Sequence, residues 1–143
     1  MGNHQQAKEY YERALSIQLK KLGQQHTDVA STLHNLGNLH KAMGNHQQAK
    51  EYCKRALSIQ LKKLGEEHIE VAVTINNLGV LHSVMGDHQQ AKEYYERTLS
   101  IQLKKLGEEH TDVVRTLNNL GNLHSAMGNH QQAREYYEPA LSI

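Results

Sequence analysis

The sequence predicts an all-α fold of about seven helices, arranged as an array of antiparallel pairs. Three observations carry this. The phrases TLHNLGNLH (Thr32–His40), TINNLGVLH (Thr74–His82) and TLNNLGNLH (Thr116–His124) recur at a spacing of 42 residues. Met1, Met43, Met85 and Met127 mark the same period, and Met43–Val84 agrees with Met85–Ala126 at 31 of 42 positions. A period in the range of about 20–50 residues means stacked supersecondary units, and the apolar residues inside each unit recur at helical steps.

Each unit reads as two helices. In the first, Val29, Leu33, Leu36, His40 and Met43 fall on one face. In the second, Ala49, Tyr52, Cys53, Ala56, Leu57 and Leu64 do the same. Gly44 stands where the first helix must stop, suited to the left-handed conformation that ends helices. Asn45 and Gln48 then form an expected cap with its reciprocal partner, and Gly65 closes the second helix. Such short turns make the paired helices antiparallel. The helices are predicted at 5–22, 29–42, 47–64, 71–84, 89–106, 113–126 and 131–142. Gly37, Gly79 and Gly121 lie inside first helices, where glycine costs about 1 kcal/mol against alanine. They are read as packing devices that let Ala49, Ala91 and Ala133 of the partner helix come close. No strand precedes them, as a dinucleotide-binding loop requires.

Bulk properties limit the function classes. The formal charge of +1 gives no overall pull toward nucleic acid or membrane. A hydrophobic fraction of 38% is thin for a compact globule but suffices where each part packs only on its neighbours. The one cysteine, Cys53, allows no internal disulfide and fits a reducing, cytoplasmic setting. No apolar run approaches the ~20 residues that span a bilayer. The opening MGNHQQ has Gln6 where a myristoylation motif wants Ser or Thr, and the same phrase recurs at Met43-Gly44 and Met127-Gly128 as a helix junction.

At Leu117, Leu120-Gly121, His124 and Ala133-x3-Tyr137 the sequence resembles the tetratricopeptide repeat, with Leu at the Trp position and His at the Tyr position. The closing Pro of that pattern is replaced by the extension ALSIQLKKLGEEH, which lengthens the unit to 42 residues. This longer unit is similar to the repeats of kinesin light chains and nephrocystin-3-like proteins. The resemblance implies a right-handed α-solenoid, a single tetratricopeptide array over 1–143. Residues 1–29 form a partial unit holding only a second helix, 30–71 and 72–113 are full units, and 114–143 is a truncated last unit. Pro139 replaces the arginine found at Arg13, Arg55 and Arg97 and is expected to bend or fray the last turn.

The resemblance also implies that first helices line a concave groove. The stripe Ser31, His34, Asn35, Asn38 repeats as Val73, Asn76, Asn77, Val80 and as Arg115, Asn118, Asn119, Asn122. Asn35, Asn77 and Asn119 would then form a ladder of amides, each offering two donors and an acceptor to an extended peptide backbone. Val73, Val80 and Val84 would add an apolar patch, and Arg115 and Lys41 positive charge toward the two ends. The bland reading is a polar, solvated inner face. The expected function is therefore a protein-interaction scaffold with a protein or peptide partner. The alternatives are a self-assembly module acting through uncapped terminal helices, or a piece of a longer array. For self-assembly, the lone helix Gln5–Leu22 is expected to expose Ala7, Tyr11, Ala14 and Leu15.

Other constellations carry less. His40, His82 and His124 fall on the apolar stripe and read as satisfied core histidines. His4, His46, His88 and His130 open second helices, while His26, His68 and His110 sit in the turns between units. No pair has the spacing of a helical zinc site, so no metal or other cofactor is expected. Lys20-Lys21, Lys62-Lys63 and Lys104-Lys105 are followed by acidic pairs only at Glu66-Glu67 and Glu108-Glu109, and no basic stripe stands free enough to imply nucleic acid. The tyrosine pairs and Cys53 read as packing residues. No catalytic constellation stands outside the repeat pattern, so no enzyme is expected.

Overall fold

The computed structural model describes residues 3–142, the side chain of Ser142 excepted. Met1, Gly2 and Ile143 lie outside, and with them the glycine weighed for lipidation and the last residue of the truncated unit. Seven helices follow in order: α1 (Asn3–Leu22), α2 (Thr27–Ala42), α3 (His46–Leu64), α4 (Ile69–Val84), α5 (His88–Lys105), α6 (Thr111–Ala126) and α7 (His130–Ser142). No strand occurs among the described residues. The chain divides into two compact units, Met1–Glu66 with α1 to α3 and Glu67–Ile143 with α4 to α7.

All seven helices begin one or two residues before the predicted starts. For α2, α4 and α6 the cause is a cap that the turn reading of His26, His68 and His110 overlooked. The Nδ1 atoms of His26, His68 and His110 accept hydrogen bonds from the backbone N–H of Asp28, Glu70 and Asp112 at 3.0–3.1 Å. An acceptor there satisfies one of the orphan donors of the first turn.

At the other end of α2, Gly44 takes φ +82°, and the N–H of Asn45 donates to the carbonyl of His40 at 2.8 Å. Gly86 with Asp87, and Gly128 with Asn129, repeat this turn. It is the six-to-one closure of a glycine-ended helix. The expected Asn45 cap is not made: its side chain accepts no bond from α3 and lies instead 3.4 Å from His40 Nδ1. Asp87, at the matching position, does cap its helix, accepting from Gln90 N–H at 3.4 Å.

The turn brings Gly37 of α2 against Ala49 and Cys53 of α3, an equal distance beyond it, which makes the pair antiparallel. The glycines do mark the close approach, but what they accommodate differs from the reading. A Cβ on Gly79 would lie 2.7 Å from Tyr95 Cε1, and one on Gly121 would overlap Tyr137 Cε1. At Gly37 the nearest atom is Cys53 Sγ, at 2.8 Å, with the Ala49 carbonyl at 3.4 Å. The space thus belongs mainly to the side chain four residues beyond the alanine.

In unit 1 the core gathers Leu15, Val29, Ala30, Leu33, Leu36, Ala56 and Ile59, with Tyr11, Leu19 and Tyr52 against it. This corrects the expectation for α1. Leu15 is 9% exposed, while Ala7, Tyr11 and Ala14 are half-buried, because α1 lays this side on α2. The apolar residues left in solvent are Tyr10, 64% exposed, and Ile17, 55% exposed. A part-buried bond from Thr32 Oγ1 to Gln18 Oε1 (2.7 Å) ties α1 to α2, and a buried one from Thr116 Oγ1 to Gln102 Oε1 (2.7 Å) ties α5 to α6 in unit 2. The second cluster there holds Ala91, Tyr95, Leu120 and Leu123. A third joins Val113, Leu117 and Ala140, so α7 carries through Pro139 to Ser142 with its inner side packed.

The repeat histidines are buried as expected, but their rings are stacked more than hydrogen-bonded. His40, His82 and His124 lie 5.3–5.4 Å from Tyr52, Tyr94 and Tyr136, centroid to centroid. Both ring nitrogens of His124 and the Nε2 of His40 are buried without a hydrogen-bond partner among the described residues. Burial first, and then Lys8 for His40 or Lys92 for His124, holds both imidazoles below their ordinary range, with Glu12 and Glu96 opposing.

Two predictions follow from this packing. Gly79→Ala should lower stability by up to about 2 kcal/mol in urea unfolding. The clash with the Tyr95 ring costs about 1–3 kcal/mol, more than the ~1 kcal/mol of helix propensity gained; a net gain would contradict the packing. For His40 and His124, the unfolded chain binds protons that the fold refuses, so stability is complete above the ordinary histidine range. It should fall as pH drops from about 6.5 toward the lowered folded values. Replacing both by Tyr should reduce the slope of melting temperature against pH in that window.

Candidate functional site

Packing decides which side of each first helix is left outward. In α2, Val29, Leu33, Leu36, Gly37 and His40 turn inward. That leaves Ser31, Asn35 and Asn38 exposed on unit 1. In unit 2 the same logic exposes Val73 on α4 and Arg115, Asn118 and Asn122 on α6, with Asn76, Asn77, Val80 and Asn119 half-buried. None of the ten predicted groove residues is buried outright.

Their hydrogen bonding sorts them further. The side chains of Asn35, Asn118 and Asn119 make no hydrogen bond to other described residues, so both donors and the acceptor of each amide remain to be used. Asn122 is committed in part: its Oδ1 accepts from the Tyr137 hydroxyl at 2.5 Å, leaving its N–H groups outward. Asn76 turns its Oδ1 inward, where it is buried without a donor. Arg115 donates to Asp112 Oδ1 at 3.2 Å, so its charge is shared with its own helix. Lys41, the other predicted cation, is half-buried.

The valines form a ridge. Val73 is 50% and Val84 57% exposed, while Val80 between them packs on the cluster of Ala91, Tyr95, Leu120 and Leu123. The three are seven and four residues apart, one face of α4. The stripe can thus offer amide donors and acceptors beside aliphatic surface, and it gathers no acid, base and nucleophile.

The link from Tyr137 to Asn122 was not read from the sequence. Its signal was present: Gly121 precedes Asn122, and the phenol slides under the glycine to reach the neighbouring amide. Another overlooked detail separates the histidines. His82 Nδ1 lies 3.3 Å from Asp87 Oδ2, where His40 has Asn45. An amide serves either tautomer, whereas a carboxylate only accepts, so His82 carries its proton on Nδ1.

Cys53 is 1% exposed, and burial pushes its thiol up to about 11, which makes it unreactive. Among the described residues no three His, Cys, Asp or Glu side chains gather as metal ligands would. No helix is long and apolar enough to cross a membrane among them.

The tetratricopeptide repeat family model matches this chain over residues 1–62, 28–104 and 70–143. Among proteins of curated function none matches the sequence. Among solved structures, BtubC (BKLC) from P. vanneervenii superposes with a TM-score of 0.92 at 30% identity over 99% of this chain. A Podosopora anserina protein described as a kinesin light chain with nearly identical TPR-like repeats gives 0.89, again at 30% identity over 99%. This chain spans 56% of the length of the first and 67% of the second. The matched segments together run the length of the chain, and the fold agrees: it belongs to the tetratricopeptide repeat family, of the kinesin-light-chain-like type.

Proposed function

We propose that the chain binds an extended segment of a partner protein through an asparagine ladder, Asn77 and Asn119 in unit 2, with Asn35 the equivalent amide of unit 1. Asn38, Asn76, Asn118 and Asn122 stand beside it, with Val73, Val80 and Arg115. The tetratricopeptide fold is that of a protein-interaction scaffold, which supplies the general class. The observation that carries the finer reading is the state of Asn35 and Asn119. Asn35 is exposed and Asn119 half-buried, and each carries an amide that no other described residue engages. Amides so placed pair with backbone C=O and N–H of any sequence, while the valine ridge favours an aliphatic residue of the ligand.

A peptide selected from a displayed library against the whole chain tests this. Asn77→Ala with Asn119→Ala should weaken it by about 1–3 kcal/mol, two hydrogen bonds' worth, in titration calorimetry. Methylating one backbone nitrogen of the peptide should cost more than replacing the side chain beside it. Unchanged affinity in both experiments would remove the ladder.

A second reading, self-association through α1, is favoured by a different observation. Ile59 and Ile101, the counterparts of Ile17, are 5% and 6% exposed, and Tyr52 and Tyr94, the counterparts of Tyr10, are half-buried. Exposed apolar residues on one helix face favour association. The substitutions that probe it are at Tyr10 and Ile17; Tyr11 and Leu15 belong to the core of unit 1, where a polar residue would unfold the helix contact. Mass by light scattering should rise with concentration and stay monomeric for Tyr10→Glu with Ile17→Asp.

A further inference from the structure

Two crevices stand at equivalent places in the repeat, and they differ in chemistry. In unit 1 a cavity of about 290 Å³ is walled by Leu19, Val29, Leu33 and Ile59, with Gln24, Gln25 and Arg55 at its polar side. In unit 2 a cavity of about 470 Å³ is walled by Leu99, Leu103, Val113, Leu117 and Pro139, with Glu108 and Glu109. Leu19 and Leu103, Val29 and Val113, Leu33 and Leu117 are the same positions of the unit. At the lining positions described in both, two changes separate the crevices: a glutamine pair becomes a glutamate pair, and an arginine becomes a proline.

Both changes act in one direction. Pro139 has no long side chain to lie across the opening and no charge to neutralise the carboxylates. Glu108 and Glu109 make no ion pair with other described residues, whereas Lys104 is held by Glu67, with Lys105 close to that same carboxylate. The crevice of unit 2 is thus an apolar slot with two unneutralised carboxylates beside it, and Leu103 in its wall is 41% exposed.

The same polypeptide carries the complementary surface. Tyr10, Ile17, Lys20 and Lys21 share one face of α1 by their spacing of seven, three and one. All four are exposed, and Arg13 stands exposed between Tyr10 and Ile17, so this face carries two apolar residues and three cations. We propose that the crevice formed by α5, α6 and α7 of one copy receives the last turns of α1 from a second copy. Ile17 enters the slot, and Lys20 and Lys21 meet Glu108 and Glu109. The crevice of unit 1 cannot substitute, because Arg55 repels the lysines and its glutamines carry no charge. The inference rests on the self-association reading and supplies the receiving surface.

Such a contact joins two different patches, so it is heterologous. It leaves a free α1 on one copy and a free slot on the other, and assembly continues into rings or filaments rather than stopping at two. Because the charges are exposed, added salt weakens it.

Analytical ultracentrifugation of the full chain with Ile17→Asp and Leu103→Asp tests this. Both residues are exposed, and circular dichroism confirms that each variant is folded. The wild-type chain should form a concentration-dependent series beyond the dimer. Each variant alone should be monomeric, with association at least tenfold weaker. An equimolar mixture of the two should form one-to-one dimers and nothing larger, since one variant keeps its slot and the other its α1. Dimers that Ile17→Asp abolishes and Leu103→Asp leaves intact would overturn the slot while keeping self-association through α1. A wild-type chain that stays monomeric would overturn both. A monomeric chain whose slot takes a basic peptide from another protein would likewise overturn the second copy as occupant.

Discussion

The closest constraint in this fold is the contact between a glycine of each first helix and the side chain that lies beneath it in the second. A Cβ at Gly79 or Gly121 would sit inside the van der Waals radius of a tyrosine ring. With the rings of Tyr95 and Tyr137 placed there, the two helices of a pair are fixed in separation and in register. The remaining features of the pair follow from that register: the stacking of His82 on Tyr94 and of His124 on Tyr136, and the outward aim of the asparagine stripe. At Cys53 the ring is replaced by a sulfur, and the contact is kept by a smaller group. Helix propensity opposes glycine at each of these places. Packing wins because the alternative is an aromatic ring with nowhere to lie.

What could be read from the sequence was what repeats. A period of 42 residues with apolar steps of three and four placed all seven helices, and the glycines that end them take the positive φ expected. The stripe of asparagines reaches the surface because the opposite stripe is apolar, which periodicity also shows. Less legible were contacts that depend on side-chain reach. Asn45 satisfied the pattern of a cap, yet its amide goes to His40, while the caps of the first helices come from histidines that spacing assigned to the turn. An imidazole Nδ1 is as good an acceptor as a short oxygen, but histidine is not among the residues that announce a cap.

The exposed face of α1 was misplaced for a related reason. The core stripe of a second helix is wide, because it meets both its own first helix and the following one. Periodicity merges those two contacts into one apolar band and cannot say which half a neighbour covers. In α1 the half bearing Leu15 is covered by α2, and the half bearing Ile17 is open. Ile59 and Ile101 show what the open half looks like when a helix lies over it.

Near-identity between the units turns their few differences into the informative positions. A residue kept in every unit answers a demand that every unit makes, such as closing a turn or filling the space under a glycine. Substitution at one unit alone answers something local. Val80 in place of asparagine makes one rung of the stripe aliphatic. Asp87 in place of asparagine fixes the proton of one buried imidazole and leaves the other two without a carboxylate. Pro139 in place of arginine leaves the crevice beside Glu108-Glu109 without the cation that its counterpart has in Arg55. None of these changes is required by the helix pair, since its sister pairs fold without them. Asparagines kept in every unit can only meet what any stretch of backbone offers, so selectivity among partners has to be sought where the repeat is broken, on surfaces that the common packing has already positioned.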